Sequence, residues 1–203
     1  MSNKHWIQTF TGRRFETLSA TFEDFDIRDI ARALAMQCRY AGHVSKFYSV
    51  AEHCVRVSRR VEQLMVSELG YPAADELVTL CAQWGLIHDA SEAYLGDVTR
   101  PLKHTPQMAG YREIESKLQG DIAEWLTLPR KQPDLVTAVD IELLGTEARQ
   151  LKQPIHPDWH TSCPGGKLPD ELPGLTLGWD PTKAERLFLE RYRRLFESAR
   201  AFE

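Results

Sequence analysis

A histidine and an aspartate stand side by side at the end of an apolar run. His88 and Asp89 directly follow the mostly apolar residues 80–87. Burying an imidazole and a carboxylate is costly unless a partner supplies the missing charge and hydrogen bonds. Both groups are good ligands for a divalent cation, and a shared ion would remove much of that cost. The pair therefore predicts a metal site.

Two further segments hold an ionisable side chain inside an apolar helical stripe. His53 lies one helical turn from both Val50 and Val57. Asp140 lies four residues after Val136, within an equivalent stripe. An unpaired carboxylate at such a position would be costly. We therefore predict that His53 and Asp140 also point toward the interior.

The helix before the His-Asp pair has a stripe of its own at steps of four, three and four residues, formed by Leu77, Cys81, Trp84 and His88. Each anomaly has an ordinary explanation when it is taken alone. A single histidine such as His53 is more often a hydrogen-bonded core residue. Asp140 could pair with a buried arginine such as Arg149 or cap a turn. One shared cation explains all of these residues together.

An ion held by these side chains would have an open coordination sphere. The four predicted ligands are His53, His88, Asp89 and Asp140. An octahedral cation would keep two positions for water and a substrate oxygen, as a catalytic site requires. Adjacent helical residues point about 100° apart, so His88 and Asp89 can share the ion only near a helix end. Residues 90–91 are predicted to loosen the helix there.

Glu92 is the predicted general acid or base. It follows Asp89 by three residues and His88 by four, so its carboxylate lies on the face that looks toward the ion. The alternative is an ordinary exposed glutamate on a helix surface.

Several segments of the chain resemble the HD-domain metal-dependent phosphohydrolases, whose signature is a histidine, a His-Asp pair and a final aspartate. The segments are residues 38–43, 48–53, 88–94 and 96–103. Within that superfamily they are similar to the bacterial and prophage 5'-nucleotidases of the YfbR/YfdR type, from residue 6 to about residue 149. The resemblance implies an all-α HD-domain helical bundle that uses one divalent metal ion.

The resemblance also implies roles for residues near the predicted ion. Asp97 matches an active-site aspartate that helps Glu92 to position and deprotonate the attacking water, although a Gly-Asp sequence is also typical of a turn cap. Arg39 matches an arginine of the substrate pocket, where its planar fork suits a phosphate.

Three more residues are candidates for the substrate pocket. Tyr40 stands where the YfbR-type enzymes have tryptophan, so their selectivity for deoxyribose is not carried over, although an aromatic ring can still pack on the sugar. His43 and Lys103 are weaker candidates for binding the phosphate, and each has a structural alternative.

The function implied by the resemblance is hydrolysis of a (deoxy)nucleoside 5'-monophosphate to nucleoside and phosphate. One alternative is a triphosphohydrolase that releases triphosphate from a deoxynucleoside triphosphate, and another is a non-catalytic nucleotide-binding HD protein. A diiron HD oxygenase would need extra ligands between the His-Asp pair and Asp140, where His104 is the sole histidine. The nitrogen and oxygen ligands suit Mn, Co, Zn, Fe, Ni or Mg.

Composition limits the class of partner and the compartment. The chain has 203 residues and a formal net charge of -4, without a long run of lysine or arginine, which argues against a nucleic-acid polymer or a membrane surface. We expect a small nucleotide as the partner, and similar proteins imply a homo-oligomer. The lack of a signal peptide or membrane-length apolar stretch predicts a cytoplasmic protein. Four scattered cysteines predict free, mostly buried thiols.

The predicted organisation is a single domain over residues 1–203. A small β-hairpin is predicted at about 5–22, around the Thr-Gly pair at 11–12. Asp26 is predicted to begin the first helix. Helices are predicted near 27–37, 50–68, 75–88, 108–126, 133–150 and about 181–200.

The segment 152–181 differs in composition from the rest of the chain. It holds six of the eleven prolines and four of the twelve glycines, so it is predicted to be an ordered surface loop rather than a helix. Trp159 and Trp179 are predicted to anchor this loop, which either packs on the body or covers the pocket. The locally basic segment 191–194 is predicted to form a solvated helix face.

Overall fold

The computed structural model describes residues 5–197, which form an all-α protein with one small β-hairpin. Strand β1 (Ile7–Gln8) pairs antiparallel with β2 (Arg14–Phe15). This confirms the predicted fold class, but the strands are much shorter than the hairpin predicted at about 5–22. The pairing ends early because Phe15 is fully buried in the core, which draws the following chain away from its partner strand.

The six predicted helices begin and end close to the predicted positions within residues 5–197, where three short helices were not predicted. In chain order they are α1 (Ile27–Met36), α2 (Val50–Gln63), α3 (Glu76–Ile87), α4 (Glu92–Leu95), α5 (Arg100–Lys103), α6 (Ala109–Trp125), α7 (Asp134–Leu151), α8 (Asp158–Ser162) and α9 (Pro181–Tyr192). Helices α2 and α9 each continue through a wider π-helical turn, at Leu64–Glu68 and Arg193–Glu197. Residues 198–200 of the predicted terminal helix lie outside the described residues. Between residues 5 and 197, no helix combines the length and apolarity needed to cross a bilayer.

Side-chain caps explain where four of the helices begin, whereas α6 and α7 have no side-chain cap. A side-chain oxygen of Asp26, Ser49, Asp75 or Asp180 accepts a hydrogen bond from a first-turn N–H of α1, α2, α3 or α9, respectively. These bonds satisfy N–H groups that have no partner within the helix. The start of α2 after Ser49 puts His53 in the first turn of that helix.

Helix α2 lies at the centre of the fold and packs against α1, α3, α7 and α9. Its contact with α3 is close, because a side chain at Gly85 would place its Cβ only 2.8 Å from the Cα of Ser58. The Ser58 hydroxyl donates to the carbonyl of Ala82 at 2.6 Å. Glycine permits this approach, which brings His88, one turn after Gly85, next to α2.

The predicted burial is wrong for two helical residues, Leu77 and Arg191. Leu77 is 45% exposed because the first turn of α3 follows an exposed segment at 67–74. Arg191 is buried rather than solvated, and it donates to the Ser58 hydroxyl at 2.9 Å and pairs with Glu62 at 2.6 Å. It is enclosed because α9 packs along α1 and α2. The two arginines that follow it are exposed, as predicted.

The segment 152–181 packs on the body of the protein. It is irregular except for the five-residue helix α8 and a tight turn at Pro164–Gly166, so the prediction of a loop without helix holds only in part. Its Leu168 and Leu177 are buried. The backbone N–H of Trp179 donates to the buried Glu52 carboxylate at 2.6 Å.

Candidate metal centre

The four predicted ligands lie close together, with ligand atoms of His53, His88 and Asp140 within 4.8 Å of one another and Asp89 next to His88. His53 comes from α2, Asp140 from α7, and His88 and Asp89 from the residues after α3. The Nε2 atom of His53 lies 3.1 Å from His88 Nε2, 3.0 Å from Asp140 Oδ1 and 3.8 Å from Asp89 Oδ2. His88 Nε2 lies 3.3 Å from Asp89 Oδ2. Sequence reasoning therefore identified a set of groups that converge in space.

These distances fit a divalent cation. Metal–ligand bonds of about 2.1 Å at right angles separate neighbouring ligand atoms by about 3.0 Å. Three of the four separations, at 3.0, 3.1 and 3.3 Å, are close to this value. His53 Nε2 faces an imidazole nitrogen and two carboxylates, and one N–H could not satisfy all of them. A cation bonds to every group of such a set.

Both histidines are oriented by a hydrogen bond at the other ring nitrogen. His53 Nδ1 lies 2.7 Å from Glu147 Oε1, and His88 Nδ1 lies 3.0 Å from the carbonyl oxygen of Gly85. Both partners are acceptors, so Nδ1 carries a proton and Nε2 is the nitrogen that faces the cluster. Such contacts are typical of histidines that bind metals.

Glu147 is the principal site residue that sequence reasoning missed. It is fully buried, and its carboxylate accepts hydrogen bonds from Tyr40, from Tyr48 at 3.0 Å and from Arg39 at 3.4 Å, besides its contact with His53. Burial acts to raise the pKa of Glu147, but Arg39 and His53 outweigh it and hold the pKa at about 2. Its position seven residues after Asp140, on the same face of α7, was the available signal.

Arg39 lies against the cluster. Its two Nη atoms lie 3.3 Å from Asp89 Oδ2 and 3.4 Å from Glu147 Oε2. Its Nε is buried and has no hydrogen-bond partner among the described residues. The predicted phosphate ligand is therefore at the site, where part of its guanidinium is engaged by carboxylates.

An unusual backbone turn presents Arg39 and Tyr40 to the cluster. Tyr40 and Ala41 have φ angles of 60° and 52°, in the left-handed region that costs an L-residue about 1–2 kcal/mol. The turn is held by the Tyr40 hydroxyl on Glu147 and by Lys152, whose Nζ lies 4.4 Å from the centre of the Tyr40 ring. Strain of this kind is concentrated at functional sites.

The remaining aromatic and histidine candidates lie on the outer side of this turn. The ring of Trp159, from α8, lies 6.0 Å from that of Tyr40, so Trp159 anchors the loop as predicted. His43 is exposed, and its carbonyl oxygen accepts a hydrogen bond from Lys152. Its position supports the structural alternative more than a role in binding phosphate.

Glu92 is buried beside the cluster and is not the exposed glutamate of the alternative interpretation. It is 4% exposed, and its Oε2 has no hydrogen-bond partner among the described residues. Burial, followed by the charges of Asp89 and Asp97, raises the pKa of Glu92 well above its usual range. Burial also raises the pKa of Asp97. These carboxylates therefore keep a proton at higher pH than ordinary carboxylates do.

Lys103 neutralises part of this acidic group. Its Nζ lies 3.2 Å from Glu92 Oε1 and 2.8 Å from Glu115 Oε1. It is therefore paired with carboxylates here, which supports its structural alternative over the predicted phosphate contact.

Cys54 also borders the cluster. Its sulfur, an imidazole nitrogen of His88 and a carboxylate oxygen of Asp89 lie within 4.8 Å of one another. Burial, followed by the negative charge of Asp89, raises the pKa of the Cys54 thiol well above its usual range, which disfavours a thiolate ligand. All four cysteines are free and three are buried, as predicted.

A relative of known sequence decides the family of this chain. The uncharacterized protein YfdR of Escherichia coli (strain K12) is 33% identical over 194 residues, which cover 95% of this chain and 96% of YfdR. The chain belongs to the YfdR family. The uncharacterized protein RCAP_rcc00048 of Rhodobacter capsulatus is 34% identical to this YfdR-family protein over 152 residues, 72% of each chain. No protein-family model matches the chain.

Proposed function

We propose that this YfdR-family protein is a metal-dependent phosphohydrolase of the HD type that hydrolyses (deoxy)nucleoside 5'-monophosphates. The observation that carries the proposal is a cluster of possible metal ligands beside a buried, partly unpaired carboxylate. His53, His88 and Asp140 form one group of possible ligands, Asp89 lies next to it, and the carboxylate is Glu92. A centre that served only to stabilise the fold would gain nothing from an unpaired carboxylate oxygen at its edge.

The ligand residues would hold a divalent cation, and Arg39 would contact the phosphate. A divalent cation, when bound, polarises a phosphoryl oxygen and lowers the pKa of water. The His53 and His88 rings keep their Nε2 lone pairs toward it through their Nδ1 contacts. The unused Nε–H of Arg39 is available for a phosphate oxygen.

Glu92 and Asp97 would accept and donate the protons of the reaction. A water oxygen attacks phosphorus, and the bond from phosphorus to the 5'-oxygen breaks. The carboxylate pair accepts the proton of the attacking water, and a proton returns to the 5'-oxygen, so that nucleoside and phosphate leave. The raised pKa values make both groups stronger bases than ordinary carboxylates, which favours this exchange.

The choice of a monophosphate substrate rests on the resemblance of residues 38–53 and 88–103 to the YfbR/YfdR-type nucleotidases. The Tyr40 ring beside Arg39 offers an apolar surface for the sugar. Lys103 is paired with Glu92 and Glu115, so it is left out of the proposed phosphate contacts.

The test is a product screen with metal-stripped protein. Mn²⁺, Co²⁺, Mg²⁺ or Zn²⁺ is added, all nucleoside and deoxynucleoside mono- and triphosphates are supplied, and the products are separated by chromatography. We expect nucleoside and orthophosphate from monophosphates. Release of triphosphate would overturn this proposal in favour of the triphosphohydrolase. Stoichiometric metal without hydrolysis would favour the nucleotide-binding alternative. Asp89→Ala, purified identically, controls for contaminating phosphatases.

A further inference from the structure

The side-chain amide of Gln119, on α6, is inserted into the helical hydrogen-bond ladder at the end of α3. Its Nε2 donates to the carbonyl oxygen of Ile87 at 2.7 Å, and its Oε1 accepts from the N–H of Ser91 at 3.0 Å. In a continuous α-helix, the N–H of residue 91 would bond directly to the carbonyl of residue 87. A side chain inserted there opens the helix.

The opening lies around the His-Asp pair. We call residues 88–91 the HD turn. Within it the backbone tightens, because the N–H groups of Ala90 and Glu92 each bond to a carbonyl three residues earlier, at 2.8 and 3.0 Å. Gln119 therefore holds the main chain on both sides of the two ligand residues, whose His88 Nε2 and Asp89 Oδ2 atoms lie 3.3 Å apart.

A second glutamine makes the same kind of bridge at the end of α4. Gln37 Nε2 donates to the carbonyl oxygen of Glu92 at 3.0 Å, and its Oε1 accepts from the N–H of Asp97 at 2.9 Å. A glycine-terminated helix often joins these two main-chain groups directly. Here Gly96 has φ 82° and ψ 153°, which turns the chain outward, and the amide spans the gap. We call residues 92–97 the α4 exit turn.

We propose that Gln119 and Gln37 are positioning residues: Gln119 sets the direction of the two ligands of the HD turn, and Gln37 sets the relation between the two carboxylates of the α4 exit turn. Neither glutamine carries a charge or replaces a ligand. The part of the inference that concerns turnover rests on the proposed function, whereas the part that concerns metal affinity does not.

The first arm of the test is Mn²⁺ binding to metal-stripped protein, measured by calorimetry. In Gln119→Met the amide is lost at nearly constant length, and the N–H of Ser91 can bond to Ile87 and close the helix. We expect Mn²⁺ affinity to fall by about 10–100-fold, as is usual when a group that orients a ligand is removed. Gln119→Asn has an amide that is one methylene too short to span both groups, and it repeats the test if the first variant does not fold.

The second arm of the test uses Gln37→Met, which should change turnover and leave metal binding unchanged. We expect Mn²⁺ affinity to stay at the wild-type value while kcat falls by about 10–100-fold with little change in KM. Hydrogen exchange at the Asp97 amide should become faster because its acceptor is gone. That second readout does not require turnover. Gln37→Leu is the replacement variant if Gln37→Met does not fold.

Gln83→Met is the matched control. Gln83 also donates to a main-chain carbonyl, that of Leu195 at 2.8 Å, but it lies outside both turns. It should lose some stability and keep Mn²⁺ affinity and kcat. Wild-type Mn²⁺ affinity in both Gln119 variants, or an equal loss in Gln83→Met, would overturn the role of Gln119. Lost Mn²⁺ affinity or unchanged Asp97 exchange in Gln37→Met would overturn that of Gln37.

The two proposals fail in different ways. If the wild-type protein hydrolyses no nucleotide, the proposed function fails, and the Mn²⁺ and exchange measurements still decide the roles of the glutamines. If the wild type hydrolyses monophosphates but the variants show none of these differences, the proposed function stands and this inference fails.

Discussion

His53 illustrates how one imidazole can serve either a proton or a cation. Burial and the positive charge of Arg39 act to lower its pKa, but the carboxylates of Glu147 and Asp140 outweigh them and raise the pKa to about 9 in the metal-free protein. A cation needs the same Nε2 lone pair that the proton occupies. Metal and proton therefore compete at this atom.

The first prediction concerns pH. Since metal must displace a proton from His53 below about pH 9, Mn²⁺ affinity should rise by about tenfold per pH unit between pH 6.5 and 9. Calorimetry in buffers of different ionisation enthalpy should detect the released proton. The metal-free protein should show the reverse trend: stabilisation from His53 is full below its ordinary value of 6.5 and is lost as pH rises through about 9. Affinity that does not change with pH would contradict this account.

The second prediction separates a ligand from an acid/base group. Asp89→Ala should abolish both metal binding and hydrolysis. Glu92→Ala should keep nearly the full metal content and lower turnover by about two to four orders of magnitude. Metal analysis and turnover measured on the same preparations check both. If the Glu92 variant loses its metal, Glu92 has a structural role instead.

At the residue scale, the ligands could be predicted because a charged group in an apolar stripe is visible in the sequence. Glu147 could not be assigned in the same way, because its partners Arg39, Tyr40 and Tyr48 come from a turn about a hundred residues earlier. Gln37 and Gln119 were missed because an amide gives no signal of charge, and their partners are main-chain atoms.

At the scale of elements, the predicted helices agree with the structure because capping residues and apolar periodicity are local properties. The left-handed turn at residues 40–42 could not be predicted, since two of its three residues are not glycine. Tertiary contacts with Glu147 and Lys152 impose it.

The third prediction concerns this turn. Ala41 is exposed and has a φ of 52°, so Ala41→Gly should relieve strain without removing packing. We expect the free energy of unfolding to rise by up to about 1 kcal/mol, because the entropy lost by glycine offsets part of the gain. Ala109→Gly is the control at an exposed position with an ordinary φ of -56°, and it should destabilise the protein. Urea unfolding measures the free energy of unfolding of both variants. If Ala41→Gly lowers it as Ala109→Gly does, the backbone at Ala41 is not strained.

At the scale of the whole molecule, the sequence did not predict correctly which surfaces are covered by distant segments. Leu77 and Arg191 were assigned to the wrong environment because the face that a neighbouring helix covers depends on packing between distant segments. The loop at 152–181 packs on the body, which is one of the two positions that its sequence left open. Its attachment to α2 and α7 through Glu52 and Gly145 was not visible in its composition.

The fourth prediction tests that attachment. A Cβ at Gly145 would lie 2.2 Å from the carbonyl oxygen of Pro169, so Gly145→Ala should push the loop away from α7 and lower the free energy of unfolding by about 1–3 kcal/mol. Gly110→Ala on α6 is the control, because nothing lies within 4 Å of its Cβ, and it should be stabilising by up to about 1 kcal/mol. Urea unfolding measures both. Equal changes in the free energy of unfolding in the two variants would show that the loop is easily displaced.

The ligands lie on segments that are far apart along the chain, and His53 and His88 alone are separated by 35 positions. A cation shared by α2, α7 and the HD turn would act as a reversible cross-link, because unfolding of any one of them releases it. At a free cation concentration of 100 times the dissociation constant, the folded state would gain about 2.7 kcal/mol. The lifetime of the chain against proteolysis would then follow the supply of metal in its surroundings.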